Sequence, residues 1–136
     1  MTETTSNRPG TMHLADALQY RLPVAGLVSI LHRASGLILF LLLPFVVWMF
    51  DTSITDEVSF ERFSALFSGP GGVVAKLVAL ALIWGFLHHL AAGLRHLWMD
   101  ATHSVSKEQG RTSAIATLVV SLVLTVLLGA KLFGAF

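Results

Sequence analysis

The chain has 136 residues, 54% of them hydrophobic and 12% charged, with a formal net charge of +1 at pH 7 and a mean hydropathy of +0.74. That balance is too apolar and too thinly charged for a water-soluble domain of this length, and it offers no basis for nucleic-acid binding. The chain contains no cysteine, which excludes disulfides, Cys-ligated iron–sulfur clusters and covalently attached c-type haem, and leaves His, with Met, as the soft-metal ligand.

Residues 1–22 are polar and mixed in charge, with Glu3, Arg8, Asp16 and Arg21, and Pro9, Gly10 and Pro23 punctuate them. They lack the short apolar core and cleavage site of a secretory signal and the Arg-rich, acid-poor make-up of a transit peptide. A polar lead-in and a retained first span are therefore expected. Three long apolar runs follow, at residues 24–50, 73–99 and 113–136, each longer than the approximately 20 residues a helix needs to cross a bilayer. The expected fold is an all-α membrane protein with three transmembrane helices, residues 23–136 forming one membrane-anchor domain.

Pro23 suits the first turn of span one. Within that span Ser29, His32, Arg33 and Gly36 recur at i, i+3, i+4 and i+7, a single polar face in its N-terminal half. Beyond them the run is apolar, and Pro44 predicts a slight kink. The connection over residues 51–72 is acidic, with Asp51, Asp56, Glu57 and Glu61 against Arg62, and ends in Gly69-Pro70-Gly71-Gly72. It reads as turn-rich. Arg8, Arg21, Lys107 and Arg111 lie in the N-terminal segment and the second connection, with Arg33 and Arg95 just inside the adjoining helix ends. By the positive-inside rule those parts face the cytoplasm and the C-terminus lies outside.

Span two carries Gly85, His89, Gly93, His96 and Asp100 along one helical stripe. Ionisable groups within a span are costly and mark a site by default. At 1.5 Å per residue, His89 lies about 16 Å along the helix from Asp100, and Arg33 about 15 Å from Pro23. Antiparallel packing thus puts both polar patches at similar depth. Two readings of His89 stand at this level: an axial ligand to a b-type haem, with Gly85 and Gly93 clearing space for a porphyrin edge, or a histidine bonded to a neighbouring helix. His88 points about 100° off the stripe. His89 and His96 are about 10 Å apart along one side, so one helix cannot supply both axial ligands. The second must come from His32 or from a partner chain.

Arg33, with Ser29 and His32, suits a quinone: hydrogen bonds to a carbonyl, fixed positive charge and a proton route. Arg95 reads equally as a side chain snorkelling to the interface, and Asp100 as a helix-end carboxylate or a proton relay. In span three Ser113, Thr117, Ser121, Thr125 and Gly129 repeat every fourth residue, the spacing that lets helix backbones approach closely.

Arg21-Leu22-Pro23 with Ser29-Ile30-Leu31-His32-Arg33-Ala34-Ser35-Gly36, and His89-Leu90-Ala91-Ala92-Gly93-Leu94-Arg95-His96-Leu97-Trp98-Met99-Asp100, resemble the cytochrome b556 membrane-anchor subunits of succinate dehydrogenase over nearly the whole chain. The resemblance implies half of a heterodimeric haem-binding helix bundle in a bacterial inner membrane, within a four-subunit respiratory complex. A flavoprotein subunit oxidises succinate, an iron–sulfur subunit carries electrons, and this chain with a second small anchor binds haem b and reduces ubiquinone. His89 is then the haem iron ligand, the opposite ligand coming from the second anchor. Ser29 and Arg33 line the quinone pocket, His32 and Arg33 lie near the haem propionates, and His96 and Asp100 lie near the haem or along the proton path. His88, beside the ligand position, departs from an apolar or aromatic expectation. The rival expectations are an anchor of a fumarate reductase and a haem-free structural anchor. A small transporter fits less well, because the charges sit in one leaflet.

Overall fold

The computed structural model describes residues 21–104 and 106–135. All of the expected N-terminal segment except Arg21 and Leu22 lies outside the described residues. Among the described residues there are four helices in order: α1 (Val24–Ile54), α2 (Glu57–Ser68), α3 (Gly72–Thr102) and α4 (Lys107–Leu132). Helices α1, α3 and α4 are long and apolar enough to cross a membrane, which is the expected all-α membrane fold.

Helix α1 starts after Pro23 and runs through Pro44 without a break in its assignment. The connection read as turn-rich contains a helix instead. Asp56 and Ser59 form a capping box, the Ser59 N–H donating to Asp56 Oδ1 at 2.7 Å and the Asp56 N–H to Ser59 Oγ at 3.0 Å, which satisfies two of the donors that a helix start leaves open. The turn signal belongs only to the glycine-rich end. There the Gly72 N–H donates to the Gly69 carbonyl at 2.8 Å, and a Cβ on Gly72 would lie 2.5 Å from the Phe67 carbonyl oxygen. Helix α4 begins at Lys107, ahead of the apolar run, because Ser106 and Gln109 form a second capping box.

Helix α3 packs against both α1 and α4. The small-residue stripe of α4 is the packing surface its spacing predicts: Thr117, Ser121, Thr125 and Gly129 are all buried. A Cβ on Gly129 would come 2.9 Å from Leu80 Cδ1 on α3, so a larger residue there makes the Leu80 side chain shift. The buried hydroxyls cost little because they bond within their own helix, Thr117 to the Ser113 carbonyl at 2.9 Å and Thr125 to the Ser121 carbonyl at 2.7 Å, a pattern that leaves no orphan polar atom facing the neighbour.

At the other end of this contact Arg95 is 8% exposed. Its Nε donates to Ser113 Oγ at 3.0 Å and its Nη2 to the Gly110 carbonyl at 3.2 Å. It therefore ties α3 to α4 rather than snorkelling outward. Among the described residues the fully buried apolar side chains are few, Val28, Ala92 and Ala114. Much of the outer surface is large and apolar, for example Phe40 and Leu97, as a surface facing lipid and other membrane chains requires.

Candidate functional site

Helices α1 and α3 bring three histidines together. His32 on α1 stacks on His89 of α3, ring centroids 4.2 Å apart and planes 24° apart, and lies 5.3 Å from the His96 ring at a 46° tilt. The equal depth inferred from helix rise is thus realised as direct contact.

The His89 ring is fixed at one edge. Its Nδ1 is 3.0 Å from the His32 carbonyl oxygen and 3.3 Å from Ser35 Oγ. A carbonyl can only accept, so the proton of neutral His89 is assigned to Nδ1, and Nε2 keeps its lone pair. Ser35, fully buried, also donates to the His32 carbonyl at 2.9 Å. The ring lies against bare backbone: a Cβ on Gly36 would be 2.7 Å from His89 Cε1. Ser35 is the residue that spacing arguments missed as part of the site. The available signal was its position three residues after His32, one helical turn, where its hydroxyl reaches the His32 carbonyl.

The stripe glycines of α3 each meet one side chain of α1. Gly93 faces His32 Nε2 at 3.7 Å and buried Gly85 faces Leu39 at 3.9 Å, measured from a built Cβ. Both are ordinary van der Waals distances, each to a single α1 side chain.

His88 and His89, adjacent in sequence, are separated in space. His88 is fully buried; its Nδ1 lies 3.4 Å from Ser121 Oγ of α4, and its ring stacks on Trp84 with centroids 5.6 Å apart. Its Nε2 has no hydrogen-bond partner among the described residues. His88 is enclosed by the chain's own helices, whereas His89 lies in the cluster between α1 and α3.

The remaining predicted residues are more dispersed. Ser29 is half-buried, while Arg33 is exposed and does not share the α3-facing side of His32 and Gly36. Its four-residue offset from Ser29 keeps it near that residue on the helix. Asp100 is exposed near the end of α3, and the Arg95 guanidinium that could have paired with it is engaged with α4. His32 does not serve as a ligand opposite His89, since the two rings present faces to each other rather than opposed nitrogens. Among the described residues no group of three or more metal-binding side chains converges on one point.

A single imidazole with its Nδ1 proton engaged and Nε2 left basic is the donor an iron porphyrin takes from one chain. The engaged carbonyl orients the ring as an outer-shell partner does in metal sites. The residues therefore fit one axial position of a haem.

Residues 4–128 match the protein family described as succinate dehydrogenase/fumarate reductase transmembrane subunit. The succinate dehydrogenase cytochrome b556 subunit of Coxiella burnetii is 34% identical over 114 residues, covering 84% of this chain and 90% of that one. The protein of the same description from Paracoccus denitrificans is 32% identical over 121 residues, 89% of this chain and 88% of its own. That from Rickettsia felis is 28% identical over 126 residues, 93% and 94% of the two chains. Three membrane-length helices, the histidine contact between α1 and α3, and a family match over residues 4–128 agree: the chain is a multi-pass membrane protein belonging to the succinate dehydrogenase/fumarate reductase transmembrane-subunit family, among the cytochrome b membrane anchors.

Proposed function

We propose that the chain binds haem b and ubiquinone as the cytochrome b anchor of a succinate dehydrogenase, helping electrons pass from an iron–sulfur subunit to quinone without itself binding succinate. The observation that carries this reading is the His89 Nδ1 contact with the His32 carbonyl at 3.0 Å, which leaves Nε2 to ligate the haem iron. The opposite ligand comes from a second small anchor subunit, in keeping with the stacked placement of His32. Bound haem supplies a one-electron redox centre within the membrane.

In this reading the chain's own groups bind and orient. Arg33, exposed on α1, offers fixed charge and up to five N–H donors to a quinone carbonyl or a haem propionate. Ser29 adds a hydroxyl to the quinone pocket, His32 and His96 line the haem edge, and His96 with Asp100 holds or moves protons toward the cytoplasmic face. Residues 23–136 act as one membrane-anchor domain, and residues 1–22 as a cytoplasmic segment. The distribution of Lys and Arg supports an N-terminus on the cytoplasmic side of a bacterial inner membrane: Arg21, Lys107 and Arg111 lie at one end of the bundle and Asp51, Asp56, Glu57 and Glu61 at the other. The flavoprotein and iron–sulfur subunits complete the complex on that side.

The test is the reduced-minus-oxidised visible spectrum of the complex purified through this chain, beside its His89→Ala variant. A b-type band lost or displaced in the variant, with partner subunits still co-purifying, is expected. An intact quinone-reducing complex with no haem band overturns the haem assignment and returns the histidines to packing.

A further inference from the structure

Ser35 stands where the two helices of the histidine cluster touch. It is fully buried, and its one hydroxyl reaches two groups: the His32 carbonyl of its own helix at 2.9 Å, and Nδ1 of His89 across the α1–α3 contact at 3.3 Å. The carbonyl has no proton to give, so the Ser35 O–H donates to it. Towards His89 the hydroxyl oxygen then only accepts, which agrees with a proton on Nδ1. Turning the Ser35 O–H to a bare Nδ1 would instead set that nitrogen and the carbonyl oxygen 3.0 Å apart with no proton between them. The hydroxyl direction and the His89 tautomer are fixed together.

The two Ser35 contacts are unequal. N–H donors sit at about 2.7 to 3.2 Å from oxygen in good hydrogen bonds, so the 3.3 Å contact with Nδ1 is weak and the 2.9 Å bond to the carbonyl is the stronger. Ser35 therefore acts on His89 chiefly through the His32 carbonyl. That oxygen is in demand. Within the unbroken helix Val24–Ile54 it is also the acceptor that the helix ladder assigns to the Gly36 N–H, four residues on. An atom with two lone pairs thus faces three donors: the Gly36 N–H, the Ser35 O–H and the His89 Nδ1–H. What the carbonyl shares with Ser35 it withholds from the imidazole.

The consequence reaches the other side of the ring. A strong acceptor on Nδ1 makes Nε2 a more basic ligand, and hydrogen bonding outside the ligand shell is one of the levers on a haem potential. A more basic axial nitrogen favours ferric iron and lowers the midpoint. A weakened Nδ1–H bond does the reverse.

We propose that Ser35 is a positioning residue that moderates His89: by occupying the His32 carbonyl it keeps the Nδ1–H bond weak, holds Nε2 less basic and sets the haem midpoint higher than the carbonyl alone would. This inference rests on His89 as the haem ligand, and adds to that reading the group that sets the strength of the ligand.

The test is a redox titration of the haem in the purified complex containing this chain, comparing wild type, Ser35→Ala and Ser35→Cys at one pH, with low-temperature electron paramagnetic resonance of the oxidised samples. Ser35→Ala removes the competing donor and adds no atom to a buried site; co-purifying subunits verify assembly. Haem content equal to wild type is expected, with the ferric-to-ferrous balance shifted toward ferric by up to about tenfold, about 59 mV lower for a one-electron couple, and a displaced low-spin ferric signal. Ser35→Cys, whose S–H is a weaker donor, is expected to fall between the two. A hydroxyl with a structural role alone would lower thermal stability and leave the midpoint where it was. An unchanged or raised midpoint in Ser35→Ala, or loss of haem from its assembled complex, overturns the proposal while leaving His89 as the ligand. A wild-type complex without haem overturns the proposal together with the haem assignment.

Discussion

Replacing Gly36 with alanine tests how the His89 ring is held. The new methyl carbon would stand 2.7 Å from Cε1 and 3.2 Å from Nδ1 of His89, where carbon contacts settle at about 3.5 to 4.0 Å. The ring must retreat by about 0.8 Å or more, or α1 and α3 must separate. A retreat of that size stretches the 3.0 Å contact to the His32 carbonyl beyond hydrogen-bonding distance. The cost is about 1 kcal/mol for the bond and a further 0.5 to 1.5 kcal/mol if the ring leaves its rotamer. Losing an outer-shell partner of a metal-ligating histidine lowers metal affinity about 10- to 100-fold. Alanine is meanwhile the better helix former by about 1 kcal/mol, so α1 itself is not weakened. The assay is haem-to-protein ratio, visible spectrum and haem midpoint potential of the purified Gly36→Ala complex. Reduced haem content or a displaced midpoint, with all subunits present, is expected. Haem content, spectrum and potential identical to wild type would refute the reasoning, because the ring would then not be seated against Gly36 as an iron ligand.

Three further substitutions separate the roles assigned to neighbouring groups. Arg33→Leu is expected to damage quinone reduction while succinate oxidation through an artificial soluble acceptor is largely kept; equal loss of both in an assembled complex contradicts the assignment. Ser121→Ala removes the hydroxyl 3.4 Å from Nδ1 of buried His88, which costs about 1 to 3 kcal/mol and should lower the thermal stability of the complex without moving the haem spectrum. A spectral change there would mean that His88 communicates with the haem. Arg95→Leu removes the bonds to Ser113 and Gly110, while the Gly110 carbonyl keeps the Ser113 hydroxyl as a donor, so the cost is that of the lost charge-assisted bonds, on the order of 1.5 to 3 kcal/mol; limited proteolysis of the α3–α4 connection should become faster, and unchanged cleavage kinetics would show that Arg95 does not hold that end together.

The three spans were readable from sequence because hydropathy over twenty residues is set by composition alone, and the α4 stripe because small residues every fourth position leave little else to do than pack. The pairing of His32 with His89 was readable as a depth match, since helix rise is invariant. Contacts that depend on rotation about the helix axis were not. Ser29, His32, Arg33 and Gly36 fall within one wide arc, yet only the α3-facing side of that arc meets His89, and Arg33 is left exposed at its edge. Helix α2 was hidden because four acidic residues and the Gly-Pro-Gly-Gly run dominate the composition of its segment, whereas the deciding signal was local, a capping box between Asp56 and Ser59. Arg95 could be read as an interface residue or a tie because its fate depends on where α4 begins, and that start lies outside the apolar run.

The adjacent His88 and His89 place α3 under a phase constraint. One imidazole is committed to Ser121 on α4 and the next to the His32 carbonyl on α1, about 100° apart around the helix. A single-residue deletion or insertion between Gly85 and His88 would turn the downstream half of α3 by that angle relative to the upstream half. A deletion would bring His89 to the place where His88 now meets α4 and carry His88 to that of Leu87, whereas an insertion would bring His88 into the cluster and carry His89 to the place of Leu90. Changes in length are accommodated at the Gly69–Gly71 turn or after Thr102, outside the helix, whereas the run from Gly85 to His96 has a fixed reading frame in three dimensions.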